Sequence, residues 1–379
     1  MTSLTEPNAL PASPVDLLVV GAGVVGLAHA VEAHLRGLSV AIVERDAFAA
    51  GASIRNFGHI CTTAQDGVAL TYALAARERW LHLAGKAGFT LLESGTVVVA
   101  RRPDEQAVLE EFAAARGADQ VVLLDRAGVA EHLPTHDPEV VGGAHLPLDL
   151  RVDLREAVPA LADWLVEQGV PIAWRTNVLA VGPGLVRTSR GDVRAARVVL
   201  AVGHDVDRLL PETADEAGMT RCRLQMLQVA APGGVRVRPG VLTGLSLLRY
   251  GGFASLSAAE HVRTRVRQES PELLDAVVNL MFTQRPDGDI VLGDTHHYSH
   301  TYAPFAEEDL SDLLLREGAR LLGVPKLRVR ERWHGVYASA PGPFLDREVA
   351  DGVRVVSVTS GIGMTTAHGL AAAVLDSLT

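Results

Sequence analysis

Apolar and polar positions alternate along the chain in blocks that predict an α/β protein. The run Asp16–Val20 is mostly apolar and is bounded by Pro14 and by glycines, as in a strand buried on both faces. A helical pattern from Leu27 to Arg36 follows, and Ser39–Glu44 again has the composition of a strand. Strand, glycine turn, helix and strand together predict a βαβ unit.

The same kinds of block recur farther along the chain. They predict a helix over Val152–Gln168, strands near Ile172–Val181, Leu185–Arg190 and Arg197–Gly203, a charged helical region within Ser257–Asn279, a helix over Leu310–Leu322, a strand over Val353–Val358 and a final helix to Leu378. Between Cys222 and Gly293, β-like runs alternate with glycine turns, and Asp287-Gly288 predicts a hairpin within Gln284–Gly293. Elements of nucleotide-binding type therefore occur at both ends, with an antiparallel region between them.

This order predicts the fold class and the domains. We expect an α/β chain with a discontinuous Rossmann-like nucleotide domain and an antiparallel-sheet α+β domain for substrate. The predicted boundaries are 1–88, 150–217 and 330–379 for the first domain and 89–149 and 218–329 for the second. At roughly 150 residues per domain, the 379 residues agree with two domains.

Composition narrows the function class. With 48% hydrophobic and 21% charged residues, the chain is neither disordered nor a disulfide-stapled mini-protein. A net charge of -10 argues against a partner that is nucleic acid or an anionic membrane. The two cysteines, Cys61 and Cys222, favour a reducing, cytoplasmic compartment. Residues 1–14 lack the apolar core of a signal peptide and are expected to form a loose leader.

The first candidate site is the turn GAGVVG with an acid beyond it. Gly21 allows the tight turn, Gly23 lets the backbone approach a pyrophosphate, and Gly26 lets the helix pack closely on the strand. The following helix offers its N-terminal amides and its dipole to the phosphates. Glu44, at the end of the next strand, is placed to bind ribose hydroxyls. The motif predicts a dinucleotide, without choosing which one.

Two more glycine-rich segments predict contacts with a flat ligand. In RDAFAAGASIRNFG, which spans 45–58, small residues let a loop run beside such a ligand, and Ser53 and Asn56 supply short polar side chains. Ser360–Thr365 opens the last helix, so its amides can meet a carbonyl edge of the ligand. Ordinary glycine turns would have similar sequences, and that alternative stays open for both segments.

Histidines are concentrated in the segment GDTHHYSH, directly after the predicted hairpin. On a strand, His296 and Tyr298 share one face and His297 lies on the other. The segment is an active-site wall, a polar surface turn or a metal site, although one nearby carboxylate is few ligands for a metal. For His59, positions facing a ligand and facing the core are both open.

Five motifs, in this order, resemble the glycine/sarcosine/D-amino acid oxidase (DAO) family of FAD enzymes: GAGVVG with Glu44, GASIRNFG, QRPDGDIVLGDTHH, RWHGVYASAPGPFL and SGIGMTTAHG. The resemblance runs from Val15 to Leu378, and RNFGH, GDTHHYS and GMTTAHGLA are similar to a subgroup associated with aminophosphonate oxidation. It implies an FAD-binding domain and a substrate domain whose sheet covers the isoalloxazine ring. The implied reaction is hydride transfer from the carbon beside a neutral amine to flavin N5, hydrolysis of the imine, and reoxidation of the flavin by oxygen with release of H2O2.

The resemblance also implies which residues contact FAD. They are Gly21, Gly23, Val25, Gly26, Glu44 and Arg45 at the ADP half, Val178 at adenine, Ser53, Arg55 and Asn56 along the ribityl chain and ring, Gly203, and Gly361, Ile362, Gly363, Met364 and Thr365 at the pyrimidine end. Members with covalent flavin carry a cysteine about where Gly335 stands, and neither cysteine of this chain lies in a matching motif. Non-covalent FAD is therefore expected.

Departures from the family narrow the substrate. Tyr337 stands where amino-acid-oxidising relatives carry an arginine for the carboxylate, and Thr365 stands where sarcosine-type relatives carry a lysine. A small amine with another anionic group is therefore expected, such as 2-aminoethylphosphonate or its N-methyl form. The residues available to bind the anion are Arg55, Arg249, Arg285, His296 and His297. Together with Tyr337, all of these except Arg285 form the predicted catalytic set.

Other functions remain open at this point. The flavin could serve a D-amino acid, glycine, an N-methyl amino acid or a hydroxy acid, or the chain could be a non-catalytic flavoprotein subunit. Lys86 and Lys326 are the two lysines and lie outside the motifs, so a dehydrogenase is an alternative to an oxidase. The expected partners are a small anionic amine and oxygen or another electron acceptor, without metal, and homo-oligomerisation stays open.

Overall fold

The first βαβ unit forms as predicted in the computed structural model, which describes residues 10–378. Strand β1 (Val15–Val20) lies parallel to β2 (Val40–Val43), and helix α1 (Val24–Leu35) connects them. The helix lies so close to β1 that a Cβ atom added to Gly26 would come within 1.9 Å of the Gly21 carbonyl oxygen. Of the predicted leader, residues 1–9 lie outside the described part of the chain.

The other elements follow in chain order. The strands are β3 (His59–Ile60), β4 (Leu91–Leu92), β5 (Thr96–Ala100), β6 (Val122–Asp125), β7 (Gly142–Leu146), β8 (Leu150–Val152), β9 (Ile172–Ala173), β10 (Val178–Gly182), β11 (Leu185–Thr188), β12 (Gly191–Leu200), β13 (Thr220–Val229), β14 (Gly240–Thr243), β15 (Met281–Gln284), β16 (Ile290–Ser299), β17 (Val329–Ser339), β18 (Phe344–Ala350) and β19 (Val353–Val358). The helices are α2 (Gly67–Ala87), α3 (Pro103–Arg116), α4 (Arg126–His132), α5 (Leu154–Glu167), α6 (Val206–Leu209), α7 (Pro211–Glu216), α8 (Gly251–Ala254), α9 (Ala259–Glu269), α10 (Pro271–Asp275), α11 (Glu308–Leu321) and α12 (Gly363–Leu378).

The first sheet has a parallel centre. Strands β9, β2, β1, β12 and β19 run parallel in that order, β18 pairs antiparallel with β19, and the hairpin β10–β11 extends from the first half of β12. Helices α1, α2, α5 and α12 contribute to one apolar core with this sheet, including the buried Trp80 and Leu161. Parallel strands covered on their faces need continuous apolar sequences, which explains why the strand predictions were correct here.

The second sheet is mostly antiparallel, in the order β17-β13-β16-β15-β14-β5-β7-β6. Its exception is the parallel pair β14–β5. Buried residues of α3, α9 and α11 form one core with this sheet, among them Phe112, Val262 and Leu314. In the register, Leu224 of β13 lies between His296 of β16 and Gly335 of β17, so two motifs that are distant in sequence lie on either side of β13.

The predicted α/β class with a second, antiparallel region is confirmed. One boundary needs correction: β17 hydrogen-bonds along β13 of the second sheet, so the chain returns to the first sheet after Ser339 and not at 330. The predicted helix Val152–Gln168 starts two residues later in the structure, at Leu154, because Val152 belongs to β8 and pairs with β4. Within residues 10–378, no helix combines the length and the apolar character needed to cross a membrane.

The contact between α1 and β1 gives a first testable prediction. Gly26→Ala forces a methyl group against the Gly21 carbonyl and should lower the free energy of unfolding by about 1–3 kcal/mol, the usual range for overpacking. Gly85→Ala is the matched control, because Gly85 is also inside a helix and an added Cβ there meets nothing within 4 Å. The control should gain about 0.5–1 kcal/mol. Urea unfolding of both variants measures this, and equal stabilities would contradict the packing argument.

Candidate active site

One large cavity lies between the two sheets, with a volume of about 740 Å³. It extends from the loops after β1 and β2 to the face of the second sheet that carries His296 and Tyr337. Cofactor and ligand pockets are commonly ~300–1,000 Å³. The cavity therefore has room for a ligand that contacts both sheets.

At one end of the cavity, helix α1 presents its N-terminus. Gly23 is the N-cap residue and makes no side-chain cap, while the Val24 amide donates to Ser53 Oγ at 2.8 Å. The Ala22 amide donates to Glu44 Oε2 at 2.7 Å, which fixes this carboxylate beside the glycine turn. A helix N-terminus and a fixed carboxylate are complementary to phosphates and to ribose hydroxyls, respectively.

The structure brings the remaining predicted residues of this end together, with one exception. Val25, Arg45, Val178 and Gly203 line the cavity. Gly26 does not line it, because it is used in the contact of α1 with β1. Arg45 forms an ion pair of 2.6 Å with Asp205, a residue that sequence analysis did not identify.

The loop after β2 is held in shape by its own side chains. The side-chain Nδ2 of Asn56 donates to the Ala52 carbonyl at 3.0 Å, and its Oδ1 accepts from the Gly58 backbone amide at 2.9 Å. Ser53 Oγ accepts a hydrogen bond from the Val24 amide at the start of α1. The two polar side chains that were predicted to bind a ligand, Ser53 and Asn56, therefore both make hydrogen bonds that stabilise the loop. Arg55 is exposed, lines the cavity and donates to the His334 carbonyl at 3.3 Å.

The turn before α12 and the first residues of that helix form another wall, where Gly361, Ile362, Gly363, Met364 and Thr365 all line the cavity. Gly361 has a φ of 78°, in the left-handed region, and a Cβ there would lie 3.0 Å from the Tyr337 ring. The glycine thus permits the close approach of Tyr337 to this turn. Thr365 Oγ1 accepts from the Cys61 amide at 3.1 Å, which ties the turn to β3.

Arg249 lies between the two sheets, among neutral partners. Its Nη2 donates to the Tyr337 hydroxyl at 3.0 Å and to the Ser360 carbonyl at 3.4 Å, and its Nε lies 3.4 Å from His296 Nε2. Among the described residues, no carboxylate forms an ion pair with this guanidinium. A partly buried cation that forms no ion pair with the described residues suits an anionic ligand.

His296 is neutral in this arrangement. Burial, together with the nearby charge of Arg249, lowers the pKa of His296 to about 3. Its Nδ1 donates to the Val277 carbonyl at 2.9 Å, which leaves the lone pair of Nε2 to accept from Arg249. The residue therefore orients the guanidinium and adds no charge of its own above pH ~4.

Two predicted anion-binding residues are not in the cavity. His297 is exposed on the other face of β16, where its ring lies 5.7 Å from that of Tyr302, so its assignment to the active-site wall is corrected. The alternation of side chains along a strand produces this separation from His296. Arg285 lines a second, smaller cavity and forms ion pairs with Asp153 and Asp287.

Tyr250, Asn279 and Asp294 are among the polar residues of the main cavity that sequence analysis missed. Asp294 shares the inward face of β16 with His296, two residues on, so the strand alternation that was applied to the histidines would have found it. Tyr250 follows Arg249 in a loop, and Asn279 precedes β15. No periodic pattern in the sequence marks these two positions.

His59 lines the edge of the cavity as part of a buried polar cluster. A ring nitrogen of His59, the Sγ atom of Cys61 and a carboxylate oxygen of Asp149, all atoms that can ligate a metal ion, lie within 4.8 Å of one another. Asp149 accepts from the amide and the hydroxyl of Thr63, and His59 bonds to Thr96 Oγ1 at 2.5 Å. These bonds satisfy the cluster only in part, because His59 Nδ1 and Asp149 Oδ2 are buried and make no hydrogen bond within residues 10–378.

The donor set of the cavity fits a flavin adenine dinucleotide. Glu44 and the N-terminus of α1 match a ribose and a pyrophosphate, and a Cβ on Gly23 would come within 3.0 Å of Ser53 Oγ and narrow the space beside the turn. The turn at Gly361 offers the N-terminus of α12 to the polar edge of a flavin ring. Both ends lie in one cavity, as an extended cofactor requires.

Comparison with known proteins decides the family. The DAO model, described as FAD dependent oxidoreductase, matches residues 16–377. This chain belongs to that family. It is therefore an FAD-dependent oxidoreductase, and the predicted cofactor is confirmed.

Similar proteins agree on the fold of this DAO-family chain. Glycine oxidase from Geobacillus kaustophilus superposes with a TM-score of 0.76, at 19% identity over 96% of this chain and 94% of that one. L-alpha-glycerophosphate oxidase from Mycoplasma pneumoniae with FAD bound gives 0.74, at 20% identity over 95% and 94%. The bifunctional protein ThiO/ThiG of Nostoc sp. is 26% identical over 239 residues, 59% of this chain and 35% of that protein. The chain thus spans about a third of the length of this curated relative.

The fixed position of Glu44 gives a prediction for the FAD site. Glu44→Gln keeps the shape and removes the charge, so the dissociation constant for FAD should rise about tenfold, which is ~1.4 kcal/mol. Fluorescence titration of apoprotein with FAD measures it. Glu93→Gln, a change of an exposed acid outside the cavity, is the control and should leave the constant unchanged. Unchanged FAD affinity in Glu44→Gln would contradict the assigned ADP end.

Proposed function

We propose that this chain oxidises a small amine that carries an anionic group, and that Arg249 binds that group. The observation that supports the proposal is the guanidinium in the cavity, which is held by a phenol, a carbonyl and a neutral imidazole. Each of these partners positions Arg249 without neutralising it. An oxyanion of the substrate would supply the missing charge and accept from Nη1, because the N–H groups of Nε and Nη2 already donate to His296, Tyr337 and Ser360.

FAD, when bound, supplies the acceptor for the hydride that leaves the carbon beside the amine nitrogen. In this proposal the first sheet holds the cofactor, with Glu44 and the GAGVVG turn at the ADP half and the turn at Gly361 at the ring. The second sheet supplies Arg249, His296 and Tyr337 for the substrate. Burial raises the pKa of Tyr337 well above its usual value, so its hydroxyl stays neutral and can donate to the anion.

Non-covalent attachment of FAD is part of the proposal. The chain has Gly335 about where covalently flavinylated relatives carry a cysteine. Both cysteines are buried, and burial raises the pKa of Cys222 to about 11 and that of Cys61 well above its usual range. Neither thiol is therefore a ready nucleophile. Two unpaired thiols also support a reducing, cytoplasmic location.

An aminoalkylphosphonate, such as 2-aminoethylphosphonate or its N-methyl form, is the first proposed substrate class. Support comes from the similarity of RNFGH, GDTHHYS and GMTTAHGLA to the aminophosphonate subgroup. A phosphonate has three oxygens, which could use Arg249, the Tyr337 hydroxyl and, at the rim, Arg55. The electron acceptor is oxygen or another oxidant.

A glycine-like, D- or N-methyl amino acid is the second candidate. One observation favours it: Arg249 is a single guanidinium with the acid Asp294 on the same cavity wall, a charge balance that suits a monoanionic carboxylate better than a dianion. Glycine oxidase is among the proteins of similar fold. Because that similarity is at 19% identity, it supports the fold and leaves the substrate to experiment.

Anaerobic titration of the FAD-loaded protein tests the proposed function. We expect 2-aminoethylphosphonate or its N-methyl derivative to bleach the flavin absorption band, because both carry an anion at a short distance from an amine. Glycine, D-alanine and sarcosine form the second arm of the experiment. If these alone bleach the flavin, the substrate class is an amino acid and not an aminoalkylphosphonate. If no anionic amine bleaches the flavin, with or without a dye acceptor in turnover assays, the proposal is wrong and the non-catalytic alternative gains.

Arg249→Gln tests the anion site within the same assay. Loss of a charge-assisted hydrogen bond in a buried site costs about 1.5–3 kcal/mol, so KM should rise roughly 10- to 100-fold. The effect should be small for an amine without an anionic group. Arg285→Gln is the matched control, since Arg285 lies in the second cavity and is paired with two acids. Equal changes in both variants would overturn the assignment of Arg249.

A further inference from the structure

Two buried acceptor oxygens in the wall of the main cavity make no hydrogen bond. They are Asp294 Oδ1 and Asn279 Oδ1, on side chains of residues that are 4% and 5% exposed. Both residues line the same cavity as Arg249. Buried acceptors are almost always hydrogen-bonded in folded proteins, so a pair of unpaired ones in a cavity wall indicates that a ligand brings the donors.

The backbone fixes the two residues opposite each other. The Asn279 amide donates to the Asp294 carbonyl at 2.9 Å, and the Asp294 amide donates to the Asn279 carbonyl at 3.0 Å. His296 Nδ1 lies 3.9 Å from Asp294 Oδ1, but its proton is donated to the Val277 carbonyl. The cavity is therefore lined by two unpaired acceptor oxygens and by the guanidinium of Arg249.

We propose that Asp294 and Asn279 form the subsite for the substrate's ammonium group, and that Asp294 is the base that takes its proton. This inference rests on the proposed function and names the residues that bind the other end of the same substrate. A zwitterion would place its anion on Arg249 and its ammonium on Asp294, so the cavity would bind both charges at once. Asn279 Oδ1 would accept a second of the three ammonium N–H groups.

The proton step balances within the site. An N–H bond of the ammonium breaks, its electron pair stays on nitrogen, and the proton joins a carboxylate oxygen of Asp294. The amine becomes neutral and the carboxyl becomes a neutral acid. The change is needed because a protonated nitrogen has no electron pair to support loss of hydride from the neighbouring carbon.

The surroundings of Asp294 give it the basicity for this step. Burial raises the pKa of Asp294 to about 7, while the charge of Arg249 acts in the opposite direction. The ionisable groups that face it from neighbouring segments and from its own strand are Arg249, Tyr250, Cys222, Tyr298 and His296. Burial raises the pKa of both tyrosines and of the thiol and lowers that of His296 to about 3. Among these groups, Asp294 alone titrates near neutral pH.

Asp294→Asn tests the base through its pH profile. In the unchanged protein, kcat/KM should rise with pH as Asp294 loses its proton near pH 7 and then level off. In the variant, only the neutral fraction of the free amine can react, and for an amine with a pKa of ~10 this fraction is about one in a thousand at pH 7. We expect a loss of roughly 1,000-fold at pH 7 that shrinks to a few-fold near pH 10, with a slope of one in between.

Ligand binding provides a second readout that does not depend on turnover. Ethylphosphonate and propionate carry the anion without the amine, and Asp294→Asn should bind them as tightly as the unchanged protein or more tightly. The zwitterion 2-aminoethylphosphonate, or glycine for the second substrate class, should bind at least tenfold more weakly. Flavin difference spectra of the loaded protein measure both, and a merely structural role would weaken all ligands together.

Two further variants complete the design. Asn279→Leu removes the second acceptor at similar volume and should weaken binding of the amine-bearing ligand by a factor of about 3–10 with an unchanged pH profile. Asp287→Asn is the matched control, because Asp287 is an exposed acid in the hairpin before β16, outside the cavity. It should alter neither the profile nor the ligand preference.

The outcomes separate the two proposals. If no anionic amine reduces the unchanged protein, the proposed function fails, and the binding comparison still decides on the ammonium subsite. If amines reduce it and Asp294→Asn keeps the same pH profile and the same preference between zwitterion and anion, the role of Asp294 is overturned while the amine oxidation stands. Should the asparagine variant lose its flavin, Asn279→Leu carries the test, and unchanged ligand preference there overturns the inference.

Discussion

The close approach of α1 to β1 is the constraint on which the cavity depends. An added methyl group at Gly26 would come within 1.9 Å of the Gly21 carbonyl oxygen, so the helix can take this position only because residue 26 is glycine. The same approach directs the N-terminus of α1 at the carboxyl edge of the parallel sheet, next to Glu44. The positive end of the α1 dipole, the backbone amides of the glycine turn and the Glu44 carboxylate thus lie close together, and an extended dinucleotide can bind there.

The second constraint is the contact of two chain segments that are distant in sequence. Tyr337 from β17 lies against Gly361 from the turn before α12, and Arg249 donates to both Tyr337 and Ser360. This contact joins the second sheet to the turn before α12 across the cavity. Because the guanidinium is hydrogen-bonded to neutral groups only, its position is fixed while its charge stays available. The guanidinium is thus held rigidly while its positive charge is not balanced by an ion pair in the described part of the chain, which suits an anionic ligand.

The strands of the parallel sheet could be predicted from the sequence better than the pairing of strands in the second sheet, for a physical reason. The parallel sheet is buried on both faces, so its strands are continuous apolar runs such as Leu17–Val20, and the glycine turn between β1 and α1 has a strict spacing. The second sheet pairs residues far apart in sequence, and the sequence carries no local signal for its register. As a result β17 was assigned to the wrong sheet for most of its length, and the boundary at 330 was too early.

Residue types and local patterns determined, from the sequence alone, the α/β class, the glycine turns, Glu44 and the resemblance to FAD enzymes. Alternation along β16 likewise separated His296 from His297, although both were retained as candidates. Only the tertiary structure decided which arginine lies in the cavity without an acidic partner among the described residues, because the local sequences of Arg55, Arg249 and Arg285 do not show which partners folding brings to them. Arg285 meets two carboxylates, Arg55 reaches the rim, and Arg249 meets a phenol, an imidazole and a carbonyl. Charge compensation depends on distances between segments far apart in the chain, and those distances exist only after the two sheets have packed.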